Sequence, residues 1–305
     1  MPLNLCDPMC IIERNELQDI LGCDGLGKVK IVTDSTIDLH DEVLDKYEIE
    51  VVPLSIHING QTYIDRQDIT PEEFMVKMRE AEELPKSSQP PAGVFVELYN
   101  RLLEEGYDVI SIHMTGGMSG TVQSAESAAS MAKGKVTVVD SRFISRALAF
   151  QVIEAAKMAQ AGKSVEEILE VIHKIRENTR LFVYVDTLEN LIKGGRIGKG
   201  KALIGSLLNI KPIASLEDGV YTPVTKVRSH TQAAKYLAKE FAEDVKGKTI
   251  KGVGLVHAEG LELAHKIKQA IFDLTGYEVK DIDYTTPIVS THTGAGAIGF
   301  MYYFE

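Results

Sequence analysis

Short apolar runs that end in Asp, Ser, Thr or Gly and then hand over to helical periods fill the first half of this 305-residue chain. Lys28-Val29-Lys30-Ile31-Val32-Thr33 leads into Asp34-Ser35-Thr36, residues 108–113 lead into 115–121, and residues 136–139 lead into Asp140-Ser141. Helical patterning predicts helices over 39–47, 94–105, from 121 to about 131, 145–161 and 164–178. Buried strands alternating with helices are βαβ units, which build a parallel sheet with helices on its faces. In such sheets ligands gather where strands end.

Local signals refine this frame. Asn59-Gly60 predicts a hairpin turn after the apolar run 51–58. Thr70-Pro71-Glu72-Glu73 is a helix start with Thr as cap, Pro in the first turn and Glu73 placed for a capping box. Residues 86–91, KSSQPP, read as a polar, rigid loop. Beyond Arg180 the rhythm changes to hairpins mixed with helices, with Asp218-Gly219 marking a turn. The expected fold class is α/β, with a parallel-sheet unit followed by an α+β unit. The expected division is an N-terminal extension over 1–28, an α/β domain over 29–178 and an α+β domain over 179–305.

Thirty-three Lys and Arg against 44 Asp and Glu give a net charge of −11. That charge disfavours nucleic-acid binding and electrostatic docking on anionic membranes. No apolar run reaches the roughly 18–20 residues of a membrane span, and no secretory signal is visible, so a cytoplasmic location is expected. The three cysteines, Cys6, Cys10 and Cys23, fall in the extension. Their spacing and the absence of a nearby His favour reduced thiols over a metal site.

Several polar groups sit at predicted strand ends. Ser35 and Ser141 read as helix caps. The stretch Thr115-Gly116-Gly117-Met118-Ser119-Gly120-Thr121 reads as an anion nest opening a helix. Ser119 has half of a nucleophile elbow, with His292 or His113 as bases by residue type. Residues 195–202 fall short of a phosphate-binding P-loop because Ala202 stands where Ser or Thr would hold magnesium. Lys193, Arg196, Lys199 and Lys201 form a basic patch that could be a solvated loop or could dock an anion. His292, between two threonines and followed by Gly294 and Gly296, sits in a predicted turn that suggests close backbone approach to a ligand.

Together these stretches resemble the DegV family. The matching runs are KIVTDST at 30–36, VVPLSI at 51–56, SSQPP at 87–91, TGGMSGTVQSA at 115–125 and VVDS at 138–141. They continue with LENLIKGGRI at 188–197, LLNIKPI at 207–213, DGVYTPVTKVRS at 218–229 and THTGAGAIG at 291–299. The resemblance implies two α/β domains with one long-chain fatty acid buried between them. It also implies a partner, the catalytic subunit of a bacterial fatty acid kinase, to which the acyl carboxyl is presented for conversion to an acyl phosphate. No cofactor, metal, nucleic acid or lasting membrane contact is implied.

By motif, the carboxylate would be held by Ser87, Ser88, Thr115, Ser119, Gly120 and His292, with Arg196 and Arg228 on the kinase-facing side. Where the family often has Ser-Ser before its Gly-rich loop, this chain has Thr115-Gly116, so Thr115, Ser119 or backbone N–H groups must serve instead. Phe95, Leu98, Phe182, Leu203, Ile204, Leu207 and Leu208 are candidate pocket walls. The alternatives are a serine hydrolase or acyltransferase using Ser119 and His292, or a lipid-sensing adaptor.

Overall fold

The computed structural model describes residues 28–203 and 211–305. The cysteines and Ile204, Leu207 and Leu208 lie outside the described residues, as does the Leu203 side chain.

The chain opens with β1 (Lys28–Asp34), α1 (Asp41–Lys46) and β2 (Glu50–Val52), then β3 (Ser55–Ile58) and β4 (Gln61–Ile64). Next come α2 (Pro71–Glu80), β5 (Lys86–Ser88), α3 (Ala92–Glu104), β6 (Tyr107–His113), α4 (Thr121–Met131) and β7 (Val136–Asp140). Strands β2-β1-β6-β7 form one parallel sheet in that order, as the alternation predicts. The chain leaves β1 for β2 on one side and later returns to β6 on the other, so a crevice opens between the ends of β1 and β6. Helices α3 and α4 cover one face, and Phe95, Tyr99 and Leu102 pack there on Val32 and Val109.

Local chemistry explains several joints. Thr70 Oγ1 accepts from Glu73 N at 3.2 Å while Thr70 N donates to Glu73 Oε2 at 3.1 Å, which completes the capping box of α2. Asn59 and Gly60 both take positive φ in the β3–β4 turn, and Asp218 and Gly219 do so in the later hairpin. Ser87 and Ser88, expected in a loop, instead form part of β5, which pairs antiparallel with β3. Ser35 and Ser141 do not cap helices. Ser35 Oγ accepts from Leu54 N, and Ser141 Oγ accepts from Phe143 N.

Helix α5 (Ser145–Gln160) then runs into α6 (Val165–Glu177), β8 (Thr179–Tyr184) and α7 (Glu189–Lys193), with a 3₁₀ segment (Gly198–Leu203) after it. The hairpin β9 (Lys211–Glu217) and β10 (Val220–Val227) follows, then α8 (His230–Asp244), β11 (Ile250–Ala258) and α9 (Leu261–Thr275). The last elements are β12 (Asp283–Tyr284), α10 (Pro287–Thr293) and β13 (Ala297–Phe304). A second, mixed sheet has the order β10-β9-β8-β13-β11-β12. On β8 and β13 alternate residues part company. Phe182, Tyr184, Phe300 and Tyr302 face α8 and α9, whereas Leu181, Val183 and Met301 join the central core.

Helix α5 lies between the two sheets and touches β1 and β6 of one and β8, β11 and β13 of the other. Its buried Ala147, Ala149, Ala155 and Ala156 permit that double approach. The first helical residue, Ser145, has φ 60°, a left-handed conformation uncommon for a residue other than Gly. Its N–H donates to Thr36 O at 3.0 Å and its hydroxyl donates to the buried carboxyl of Asp38. Asp38 also accepts from Thr285 Oγ1 and Thr286 N, both at 2.8 Å, and so ties the β1 end to the second sheet's loops. Burial raises the Asp38 pKa, with these bonds opposing.

Candidate functional site

The crevice at the ends of β1 and β6 opens into a cavity holding about 540 Å³ of atom-free space, open solvent at its mouth included. Thr36, Met114 and Ile144 contribute one side, and Val183, Tyr221 and Val289 the other. Ile144, Val183, Val289 and Thr293 also border a second, narrower chamber, which reaches Met301 and Gly299 on β13. Three residues, Ser87, Arg196 and His292, line both the cavity and an outer polar cleft of about 1120 Å³. They form its mouth.

Strand alternation aims Ser87 inward. It pairs with buried Ile56 of β3, whereas Ser88 pairs with Ser55 on the opposite, exposed face. Ser88 Oγ lies 2.9 Å from His57 Nε2 and takes no part in the cavity. His292 comes from the last turn of α10, a helix where a turn was expected. Pro287 starts this helix, and Asn190 Nδ2 donates to Thr291 O at 3.0 Å to hold it against α7. The imidazole lies over Gly194, where an added Cβ would stand 2.4 Å from His292 Nδ1. Ser87 Oγ and His292 Nε2 are 2.7 Å apart. The tautomer with its proton on Nε2 donates to Ser87 and leaves the serine O–H free for a ligand.

Arg196 completes the mouth. Its Nε donates to Met118 O at 3.0 Å and its Nη1 to Gly194 O at 2.6 Å. No carboxylate faces it among the described residues, and burial lowers its pKa, yet a guanidinium stays charged. Lys193 and Lys199, the nearby cations of the basic patch, are paired with Glu189 and Glu217. Arg196 is the member of that patch that lines the cavity, while Lys201 is exposed and does not. Arg228 is exposed and does not line the cavity. Its backbone N–H donates to Gln232 Oε1.

The Gly-rich loop departs from the expected anion nest. Gly116 N donates to Asp140 Oδ2, Gly117 N to Thr115 Oγ1, Ser119 N to Thr115 O and Thr121 N to Ser119 Oγ. Thr115 Oγ1 itself donates to Gly219 O at 2.9 Å, which docks the loop on the second sheet's hairpin. The carbonyl of Gly120 accepts from Gln89 Nε2. Ser119 alone of this loop's hydroxyls lines the cavity. Its hydroxyl pairs with Thr121 Oγ1 at 2.8 Å, so the Ser119–His292 couple of the hydrolase alternative is not formed. Nor is His113 available as a base, because it is buried between Ser111 and Asp34. Among the expected walls, Phe95 and Leu98 pack on the far face of the first sheet and Phe182 on the far face of the second.

His292 titrates far below an ordinary histidine. Burial, aided by the Arg196 charge, lowers its pKa to about 4. The folded chain therefore keeps it neutral while the unfolded chain begins to protonate near pH 6.5. Its contribution to stability is complete above pH 6.5 and is lost as pH falls toward 4. At pH 5 the loss amounts to about 2 kcal/mol. Denaturant unfolding at pH 7.5 and pH 5 should show a smaller acid-induced drop in His292→Asn than in the parent. An equal drop in both would contradict this assignment.

Residues 28–305 match a family model described as an uncharacterised protein of the DegV family. A DegV domain-containing protein of Listeria innocua is 48% identical over 277 residues, covering 90% of this chain and 99% of its own. A DegV family protein from Thermus thermophilus, described by its fatty acid binding, superimposes with a TM-score of 0.85 at 33% identity over 91% of this chain and 100% of that one. DegV from Bacillus subtilis, described as a fatty acid binding protein, gives 0.82 at 32% identity over 92% and 100%.

Proposed function

The chain belongs to the DegV family, and from that premise we propose that it binds one long-chain fatty acid and presents the carboxyl group to a separate fatty acid kinase. The observation that carries this reading is a largely apolar cavity with Ser87, Arg196 and His292 at its mouth and the Ser119 hydroxyl on its wall. A carboxylate wants several donors, and charge-assisted bonds are the strong ones. Two hydroxyls and a guanidinium supply them, and the neutral imidazole holds the Ser87 hydroxyl in place. The acyl chain occupies the inner space. Burying about 16 methylenes at roughly 0.8 kcal/mol each gives a gross gain of about 13 kcal/mol. Association and ordering reduce that figure but leave tight binding feasible. The solved relatives described as fatty acid binding support the same ligand class.

The outer cleft gives a phosphoryl donor held by the kinase a route to the carboxyl oxygen. That oxygen attacks the terminal phosphorus of the nucleotide, an O–P bond forms, and the bond to the diphosphate leaving group breaks. Arg196 faces the negative charge on the carboxyl and its phosphorylated product.

Native mass spectrometry of the purified protein should show a bound C14–C18 fatty acid. With a kinase added, acyl phosphate should form only when both proteins are present. Arg228→Ala should keep lipid binding and lower the rate of that step about tenfold, whereas Arg196→Ala should weaken both. A protein that is purified empty and refuses added fatty acid contradicts the reading. So does an Arg228→Ala variant that loses lipid but not phosphorylation.

A further inference from the structure

Four tyrosines are almost completely buried: Tyr99, Tyr184, Tyr221 and Tyr302. Three have an acceptor for the hydroxyl. Tyr99 donates to Ser111 Oγ, Tyr184 to Asp186 Oδ1 and Tyr302 to Asp244 Oδ2, at 2.7–2.8 Å. Tyr221 is 1% exposed, and its hydroxyl has no partner among the described residues. Buried polar groups without partners are uncommon in folded proteins, and each asks for an explanation.

The position of Tyr221 supplies one. It projects from β10 against the 3₁₀ segment, where an added Cβ at Gly200 would stand 3.1 Å from its Cε1. It lines the inner cavity but not the outer cleft, so it lies inward of the Ser87–Arg196–His292 mouth. Around the same cavity Val183, Leu191 and Ile288 offer no side-chain acceptor, and the Thr36, Ser119 and Thr293 hydroxyls pair with Asp34, Thr121 and Val289 O instead. A plain hydrocarbon chain there would leave the phenol unsatisfied. An oxygen on that chain would accept its proton.

We propose that Tyr221 selects an acyl chain bearing a hydroxy or oxo group inward of its carboxyl, and donates a hydrogen bond to that oxygen. This rests on the fatty-acid reading above and narrows its substrate class. The carboxyl end already has its own donors at the mouth, to which Tyr221 does not belong. Selectivity follows from both signs of the effect. A matched oxygen gains a hydrogen bond, and a mismatched one is buried without a partner.

The test is displacement of a fluorescent fatty acid by octadecanoic acid and by octadecanoic acids carrying one hydroxy or oxo group at successive carbons. The parent protein should bind one position about five- to tenfold more tightly than octadecanoic acid itself. Tyr221→Phe, which removes only the unpartnered hydroxyl, should lose that gain. It should bind octadecanoic acid at least as tightly as the parent and melt no lower. If every oxygenated acid binds the parent more weakly than octadecanoic acid, the proposal is overturned. If Tyr221→Phe weakens octadecanoic acid as well, the hydroxyl serves the carboxyl and the proposal is again overturned. Failure of the fatty-acid reading has a separate signature, because octadecanoic acid would then not bind either.

Discussion

Asp34→Ala should destabilise the folded chain by about 3–5 kcal/mol in denaturant unfolding at neutral pH, the range for breaking a buried ionic pair from one side. A proton chain runs through the first sheet to this carboxylate. Tyr99 OH donates to Ser111 Oγ, Ser111 Oγ lies 2.7 Å from His113 Nε2, and His113 Nδ1 donates to Asp34 Oδ2. Asp34 also accepts from Thr36 N, Thr36 Oγ1 and Met114 N. Burial alone would raise its pKa. The His113 bond and charge, with Thr36 and Met114, hold it below the ordinary value. A depressed carboxylate pKa gives stability that is present above the unfolded value of about 3.9 and lost as pH falls through the folded one. The variant should therefore lose most at neutral pH and differ less from the parent in acid. A loss below about 1 kcal/mol would mean that the network does not hold this edge. Typical unfolding free energies are about 5–15 kcal/mol, so the expected loss is a large fraction of the total. Because Thr36 and Met114 line the cavity, the same change should also loosen ligand binding.

That network shows where sequence reading succeeds and where it stops. The strands β1, β6 and β7, the Thr70 capping box and the Asn59-Gly60 and Asp218-Gly219 turns were legible because their causes are local. Alternation, caps and positive φ act within a few residues. Helix α10 was not legible. Its β-branched residues and trailing glycines argue for a turn, and its support is tertiary, through the Asn190 bond to Thr291 O. Strand β5 was missed for a like reason. Pro90 and Pro91 suggest a loop, while the pairing partner β3 lies about 30 residues earlier. The split between Ser87 and Ser88 depends on that pairing, since one register step reverses a side chain's face.

The candidate site was legible as a set of motifs and not as geometry. Ser87, Ser119 and His292 do meet around one cavity, yet Ser88, Thr115 and Arg228 take other roles or positions. Arg196, expected to face a partner, also lines the inner cavity. Its neighbours Lys193 and Lys199 look equivalent in sequence, and only the folded positions of Glu189 and Glu217 separate them. Tyr221 could not be singled out, because an alternating strand pattern does not say which tyrosine lacks an acceptor. The expected walls failed for the same reason. Phe95 and Phe182 are buried on strand-facing surfaces, but each sheet has two such faces and only one borders the cavity.

Val289→Trp carries the largest expected loss of ligand. Val289 borders both the cavity and the inner chamber, so a chain reaching Met301 must pass it. An indole there would fill the junction from the third position of α10. Overpacking of this kind costs about 1–3 kcal/mol of stability, which leaves a folded protein. Denying the inner chamber to about four methylenes forfeits about 3 kcal/mol of burial, or roughly a hundredfold in affinity. Acids of eight to ten carbons, which end short of the junction, should bind with almost parental affinity. That contrast separates a blocked passage from a misfolded variant, since misfolding would weaken short and long acids alike. If an octadecanoic acid binds Val289→Trp as tightly as the parent, the acyl chain does not run through this junction. The two chambers would then be packing space rather than one continuous site.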